Sequence, residues 1–160
     1  SEILNLIKVD NVDPQIQLKL LFNYGEVNSY SAYIKKRVMG FDNIELIEDF
    51  IPYNEFANFY DNISAFVNNS YRQFALGNIF LSLRSGVKVY LNPKNPTYSW
   101  LASVGFKVFP VMELKKDLTT MNITLKEPDR RDNAEKYKSL LESYSNCDFQ
   151  KEAIQLLYNS

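Results

Sequence analysis

The sequence contains no histidine and a single cysteine, Cys147, among its 160 residues. Without histidine, the chain cannot build a Ser-His-Asp or Cys-His nucleophile system, or a His-ligated zinc, iron or copper site. The single cysteine excludes an internal disulfide and a cysteine-cluster zinc site. Any acid–base chemistry must therefore use carboxylates, tyrosine or lysine, or groups that a partner domain supplies.

The sequence also lacks an excess of one charge and a long apolar run. Eighteen basic residues stand against 19 acidic ones, and the formal net charge is −1. This balance argues against a general attraction to nucleic acid, which strongly basic domains show. No apolar run approaches the roughly 20 residues of a membrane-spanning helix. A hydrophobic fraction of 46% at this length predicts one globular domain.

Glycine is scarce as well, and four of the five glycines stand where a predicted element ends. Between them, short runs that are apolar or alternate between apolar and polar residues are followed by runs whose apolar residues recur with the period of a helix. The predicted strands are 17–23, 43–50, 64–67, 87–91 and 107–111, and the predicted helices include 53–62, 71–85 and 96–104. A further helix is predicted to run to Met39, with Ser29 or Ser31 as its N-cap. Strands that alternate with helices in this way are typical of βαβ units, so we predict an α/β fold with a parallel sheet flanked by helices. Pro110 predicts an edge position or a strand end at this point of the chain.

The rest of the chain departs from this alternation. We predict a lead-in or linker over residues 1–16, the β/α core over 17–111, and an irregular segment with two C-terminal helices over 112–160. The two helices are expected at 131–144 and 149–158. Because the first residue is Ser1 rather than Met, we expect the chain to be part of a longer protein.

The candidate binding residues stand in the turns after the predicted strands, because open parallel sheets bind ligands beyond the carboxyl ends of their strands. In the third turn, Arg72 and Gln73 stand at the head of an apolar helix for which Ser70 is the predicted N-cap. A helix N-terminus suits a phosphate, and an arginine adds a bidentate donor. Gly77 lies inside the predicted helix, where a glycine lowers helix stability relative to alanine, and close approach by a ligand would explain a glycine at this position. Alternatively, Gly77 packs under a neighbouring helix and Arg72 is an exposed helix end.

Two further turns are weaker candidates. Gly25, after Tyr24, would let the chain turn tightly over a phosphate, and Lys94 and Asn95 form a rigid polar loop after the fourth strand. The alternatives are an ordinary βα turn and a capped surface loop. The sequence has no Gly-x-Gly-x-x-Gly or P-loop motif, which argues against an ordinary dinucleotide or P-loop site.

The residues from 68 to 109 resemble one enzyme family. The pattern Arg72-Gln73-x-x-Leu76-Gly77-Asn78, the later run GVKVYL at 86–91 and the pair Asn95-Pro96 are similar to the TDP-N-acetylfucosamine:lipid II N-acetylfucosaminyltransferases, also called the 4-alpha-L-fucosyltransferase family. A looser similarity extends from Leu18 and includes LFNYG at 21–25. That family usually has a histidine just before the Arg–Gln pair, where this chain has Asn69, Ser70 and Tyr71.

The resemblance implies the C-terminal half of a GT-B glycosyltransferase, in which two Rossmann-like domains face each other across a cleft. It implies transfer of an acetamido-deoxyhexose from a nucleotide diphosphate sugar, dTDP-linked, to a polyprenyl-diphosphate-linked saccharide in surface-polysaccharide synthesis. It implies no metal or cofactor, and an acceptor and general base held by an N-terminal domain outside this chain. It also implies a bacterial, cytoplasmic enzyme that associates peripherally with the inner face of the plasma membrane.

The resemblance and the turn positions agree on where the donor diphosphate would lie, over the helix that starts near Ser70. The predicted donor-binding residues are Tyr24, Gly25, Ser70, Tyr71, Arg72, Gln73, Gly77, Asn78, Lys94 and Asn95. We name no catalytic residue, and Glu26 is the only loop carboxylate that we would test. Two alternatives stay open: a nucleotide- or phosphate-binding Rossmann-like module without turnover, and a protein-interaction domain that acts through its aromatic helices.

Overall fold

The computed structural model describes residues 13, 15–21, 29–39 and 41–145. Its fold is α/β, as predicted, with short strands alternating with helices. The strands are β1 Leu18–Leu21, β2 Ile44–Ile47, β3 Ala65–Asn68, β4 Lys88–Leu91 and β5 Phe109–Pro110. The helices are α1 Ser29–Val38, α2 Tyr53–Asp61, α3 Leu76–Arg84, α4 Pro96–Ser103, α5 Leu114–Thr119 and α6 Glu127–Ser145, with a 3-10 helix at Val111–Glu113.

All observed strand pairs are parallel, and the described strands form two sheets rather than the single sheet that we predicted. β1 pairs with β2, with Leu18 opposite Ile44. β4 lies between β3 and β5, with Ala65 opposite Lys88. Among the described strands β5 lies at the edge of its sheet, and Pro110 is its last residue, as expected of a residue without a backbone N–H to donate.

Two side-chain clusters contact both sheets. Leu21 of β1 and Phe66 of β3 pack against one cluster with Tyr60 of α2. Ile16, just before β1, and Ala65 of β3 pack against another cluster, which includes Tyr90 of β4. No hydrogen-bonded pair joins β1 to β3 among the described strands, so side-chain packing links the two sheets. Parallel strands that alternate with helices are typical of a Rossmann-like domain, and such domains bind ligands beyond the carboxyl ends of their strands.

The main core lies between the second sheet and α3. Every residue of β4 is buried, as expected of a parallel strand covered on both faces. The buried members of this core come from α3, β4, α4 and the chain after α4: Ile79, Leu83, Val89, Leu91, Leu101 and Phe106. Tyr137 and Leu140 of α6 pack against the same cluster, so α6 closes the domain on that side.

The structure corrects two predictions in the C-terminal third of the domain. Residues 112–128 are not irregular throughout, because α5 and the 3-10 helix lie there. Leu114 and Leu118, one helical turn apart, bury their side chains against Tyr90, and this single apolar pair is too short to show helical period in the sequence. α6 begins at Glu127, four residues earlier than predicted, because Pro128 is compatible with a first helical turn.

Some predictions fall outside the described residues. They concern most of the lead-in at 1–16, the turn at 24–26, Gly40, Cys147 and the helix at 149–158, and they stay predictions. Within the described part of the chain, no helix combines the length and apolar character needed to cross a membrane.

Candidate functional site

The loop between β3 and α3, residues 69–75, is shaped by the buried side chain of Asn68, the last residue of β3. Asn68 Oδ1 accepts a hydrogen bond from the Ser70 backbone N–H (3.0 Å), and Nδ2 donates to the Phe74 carbonyl oxygen (2.8 Å). The hydroxyl oxygen of Ser70 accepts from the Arg72 backbone N–H (3.2 Å). These side chains bond backbone N–H and carbonyl groups that would otherwise form the hydrogen bonds of a helix, so the loop is non-helical.

The loop between β4 and α4 is tied to the first loop by Asn95. Its Nδ2 donates to the carbonyl oxygens of Ser70 and Arg72, at 3.0 and 2.9 Å. Its Oδ1 accepts from the backbone N–H of Thr97 (2.9 Å) and so caps α4. Asn92 adds a further amide–amide bond to the first loop (2.7 Å). The two loops are thus held together as one surface.

We call this surface the loop platform and define it as residues 69–75 and 92–95. It lies beyond the carboxyl ends of β3 and β4. Its exposed side chains include Tyr71, Arg72, Gln73, Phe74 and Lys94. Lys94 Nζ lies 5.7 Å from the centroid of the Tyr71 ring, a cation–π distance that joins the two loops on their outer side.

Helix α3 begins directly behind the platform. Ala75 precedes it with φ 58° and ψ 38°, a left-handed conformation that costs a non-glycine residue about 1 kcal/mol. The first helical bond runs from the Ile79 N–H to the Ala75 carbonyl oxygen (3.0 Å), so the N–H groups of residues 76–78 precede the helical ladder. The first turn carries no acidic residue. This end of α3 therefore presents backbone donors and a positive dipole end toward the platform.

The observed helix start corrects our prediction for Ser70 and Gly77. Ser70 does not cap α3, which begins six residues later and has no side-chain cap. Gly77 is the second residue of α3 rather than an interior one. It is exposed, and a side chain there would meet no atom within 4 Å, so Gly77 does not allow close packing beneath the site.

The structure also changes the role predicted for Asn95. Its side chain is fully buried and its amide is engaged in three hydrogen bonds, so it positions the platform and does not line a cleft. Ser70 is half-buried and acts within the loop. Asn78 is half-buried in the first turn of α3, and its carbonyl oxygen accepts from Ser82 Oγ (2.7 Å). Tyr24 and Gly25 lie outside the described residues.

The charges of the chain are unevenly distributed around the platform. Between Asp61 and Glu113 the sequence contains no aspartate or glutamate, although the whole chain has 19. The same span carries five basic residues: Arg72, Arg84, Lys88, Lys94 and Lys107. Neither Arg72 nor Lys94 forms an ion pair with another described residue. The platform is therefore a positive surface on a chain whose net charge is −1.

A buried polar trio supports β4 from the face opposite α3. Lys88 Nζ lies 2.7 Å from Asp117 Oδ2, and the Tyr90 hydroxyl donates to the same oxygen (2.6 Å). Lys88 also donates to the Asn122 carbonyl oxygen (2.7 Å). Burial, and then the neighbouring carboxylate, raise the pKa of Tyr90 far above its ordinary value. Burial opposes ionisation of Asp117, but hydrogen bonds from Lys88 and Tyr90 hold its pKa below the ordinary value.

The trio has a structural role, because all three side chains are buried and bonded to one another. It joins β4 to α5 and thereby fixes the strand from which the second platform loop leaves. Among the described residues, no group of three or more His, Cys, Asp or Glu side chains is placed to hold a metal ion.

Neither protein-family models nor curated proteins give a match to this chain. The resemblance to the fucosyltransferase family therefore stays a prediction.

The predicted donor-binding residues leave out three residues of this site: Asn68 and Asn92, which begin the turns after the third and fourth strands, and Phe74. Asn68 ends β3 and Asn92 directly follows β4, so the signal was an asparagine at the carboxyl end of two neighbouring strands. Phe74 was read as part of an apolar helix face, whereas the loop exposes 66% of it. The absence of aspartate and glutamate from residues 62–112 was a further signal of this site, and the net charge of the whole chain does not show it.

Proposed function

We propose that this chain is the donor-binding domain of a GT-B glycosyltransferase. In this proposal the enzyme transfers an acetamido-deoxyhexose from its dTDP-linked nucleotide sugar to a polyprenyl-diphosphate-linked saccharide. An N-terminal domain would present the acceptor and its general base at the inner face of the plasma membrane. The product would serve surface-polysaccharide synthesis.

The observation that carries the proposal is the place of the Arg72–Asn78 pattern in the fold. This pattern resembles the fucosyltransferase family, and it runs along the platform into the first turn of α3. It stands at the carboxyl end of β3, and open α/β domains bind ligands beyond the carboxyl ends of their strands. A sequence resemblance and a fold rule that are independent of each other therefore favour the same residues.

The chemistry of the platform suits a diphosphate leaving group. Negative charge grows on the diphosphate as the bond to the sugar breaks, and fixed positive groups aimed at that charge lower the barrier. Arg72, Lys94 and the N–H groups at the start of α3 supply such groups. The platform contains no carboxylate, so its residues would bind and stabilise the donor, and the general base would come from elsewhere.

The test is a calorimetric titration of the chain with dTDP, UDP, GDP and ADP. We expect saturable binding of one of them, and we expect Arg72→Ala to weaken it by about 1.5 kcal/mol or more, roughly tenfold, the scale of a charge-assisted hydrogen bond. Arg84→Ala is the matched control, because Arg84 is exposed at the opposite end of α3. We expect it to bind as tightly as the unaltered chain.

Two results would count against the proposal. Equal affinity in folded Arg72→Ala and Arg84→Ala would remove Arg72 as the phosphate anchor. The absence of binding by all four diphosphates would contradict a donor-binding domain and would favour the protein-interaction alternative.

A further inference from the structure

We propose that the loop platform binds the planar base of a nucleotide through Tyr71 and Phe74, beside its two exposed cations. This inference rests on the proposed function and deepens it. It makes the ligand a nucleoside diphosphate held by its ring as well as by its phosphates, rather than any diphosphate.

The first support is the exposure of two aromatic rings on a loop that is held in place. Tyr71 is 58% exposed and Phe74 is 66% exposed, and they stand three residues apart. Asn68 holds the Phe74 carbonyl oxygen from below, and Asn95 holds that of Arg72. Because the backbone is already fixed, a ring stacked on these side chains would bind without the cost of ordering the loop.

The second support is the charge beside the rings. Lys94 Nζ lies 5.7 Å from the centroid of the Tyr71 ring, and 58% of the Tyr71 residue stays exposed to a ligand. Arg72 is the neighbour of Tyr71 in the chain, and residues 62–112 contribute no carboxylate nearby. A base stacked on Tyr71 would therefore carry its phosphates toward cations and meet no repelling charge from these loops. Aromatic rings beside cations are a general solution for binding nucleotides, since stacking accepts any base while the cations hold its phosphates.

The test compares a nucleoside diphosphate with inorganic pyrophosphate, which has the phosphates and no ring. The nucleotide is whichever of dTDP, UDP, GDP and ADP binds the full chain most tightly. We expect Tyr71→Leu and Phe74→Leu each to weaken nucleotide binding about tenfold, the scale of one stacked base, and to leave pyrophosphate binding unchanged. Tyr71→Phe keeps the ring and should keep the nucleotide affinity.

Tyr33→Leu is the matched control. Tyr33 is 52% exposed on α1 and also has a cation beside its ring, Arg37 at 5.9 Å, but it lies outside the platform. We expect this variant to bind both ligands normally. Both platform rings are largely exposed, so their replacement leaves the core intact, and circular dichroism checks the fold of each variant.

The outcomes separate the inference from the proposed function. If Tyr71→Leu and Phe74→Leu change neither affinity, or weaken both ligands equally, base stacking is overturned. In that case, a lower affinity for both ligands in Arg72→Ala, with the affinities of Arg84→Ala unchanged, would still uphold the diphosphate site. If the unaltered chain binds no nucleoside diphosphate, both the inference and the proposed function are overturned.

Discussion

Asn95 is the single residue on which the geometry of the loop platform most depends. Replacing it with alanine removes the cap of α4 and leaves the carbonyl oxygens of Ser70 and Arg72 without their amide donor. We expect Asn95→Ala to lower the free energy of unfolding by about 2 kcal/mol, from the lost cap and the lost buried hydrogen bonds. Urea denaturation measures this change.

A second substitution separates the two tasks of Asn95. Asn95→Ser keeps a hydroxyl that caps α4 but is too short to reach the first loop, so we expect it to restore about half of the lost stability. Asn58→Ser, at an exposed position of α2, should change stability by less than about 0.5 kcal/mol. Equal stability of Asn95→Ala and Asn58→Ser would show that the ties between the loops contribute nothing.

Asn95 also shows what the sequence can predict about one residue. The cap is local: Asn95 followed by Pro96 predicts the start of a helix, and the structure confirms it. The bonds to Ser70 and Arg72 span 25 and 23 residues, and no local pattern indicates which distant carbonyl a buried amide will meet. The sequence therefore predicted a polar residue at the site, and only the fold distinguishes a positioning residue from an exposed one.

At the scale of elements, the Lys88–Asp117 pair fixes α5 against β4. The two side chains are 4% and 8% exposed, so removing one charge leaves the other buried without a charged partner. We expect Asp117→Asn to lower the free energy of unfolding by about 3 kcal/mol. Asp132→Asn, which breaks the surface pair with Lys136, should cost less than about 1 kcal/mol.

The same pair predicts a pH dependence. The pKa of Asp117 is lower in the folded chain than in the unfolded chain, where an aspartate titrates near about 3.9. Its contribution is therefore complete above about pH 4 and declines as the pH falls through the folded value. We expect the urea midpoint of the unaltered chain to drop below about pH 4, and Asp117→Asn to flatten that drop. An equal decrease of the urea midpoint below about pH 4 in the two proteins would contradict this assignment.

The start of α3 shows why one element was misplaced while its neighbours were predicted well. Residues 71–75 contain no helix breaker, so the sequence favours a helix that continues back to Tyr71. Asn68 overrides this local preference by binding loop groups on both sides of Arg72, the N–H of Ser70 and the carbonyl of Phe74. The helix at 53–62 met no such competitor, and its observed bounds agree with the prediction to within one residue at each end. The helix predicted to run to Met39 ends one residue earlier and begins at Ser29, the first of its two candidate caps.

At the scale of the whole molecule, the alternation of strands and helices predicted parallel strands, but it could not give their spatial order. The arrangement of the sheets depends on contacts between elements far apart in sequence: Leu21 of β1 and Phe66 of β3 both pack against the cluster that contains Tyr60 of α2. α2 thereby contacts the sheet of β1 and β2 as well as the sheet of β3, β4 and β5, from which the platform loops leave.

The last prediction tests whether α2 joins the two sheets. Phe56 is 8% exposed and packs edge-on against Tyr60, at a centroid distance of 5.4 Å, within the cluster that includes Leu21 and Phe66. We expect Phe56→Ala to lower the free energy of unfolding by about 3–4 kcal/mol and to speed amide hydrogen exchange in both β1 and β3. Ile34→Ala is the matched control, because the Ile34 cluster contains only α1, β1 and β2 residues, so its faster exchange should begin in β1 and β2. Faster exchange confined to β1 and β2 in Phe56→Ala would mean that α2 does not hold β3 and that this helix does not join the two sheets.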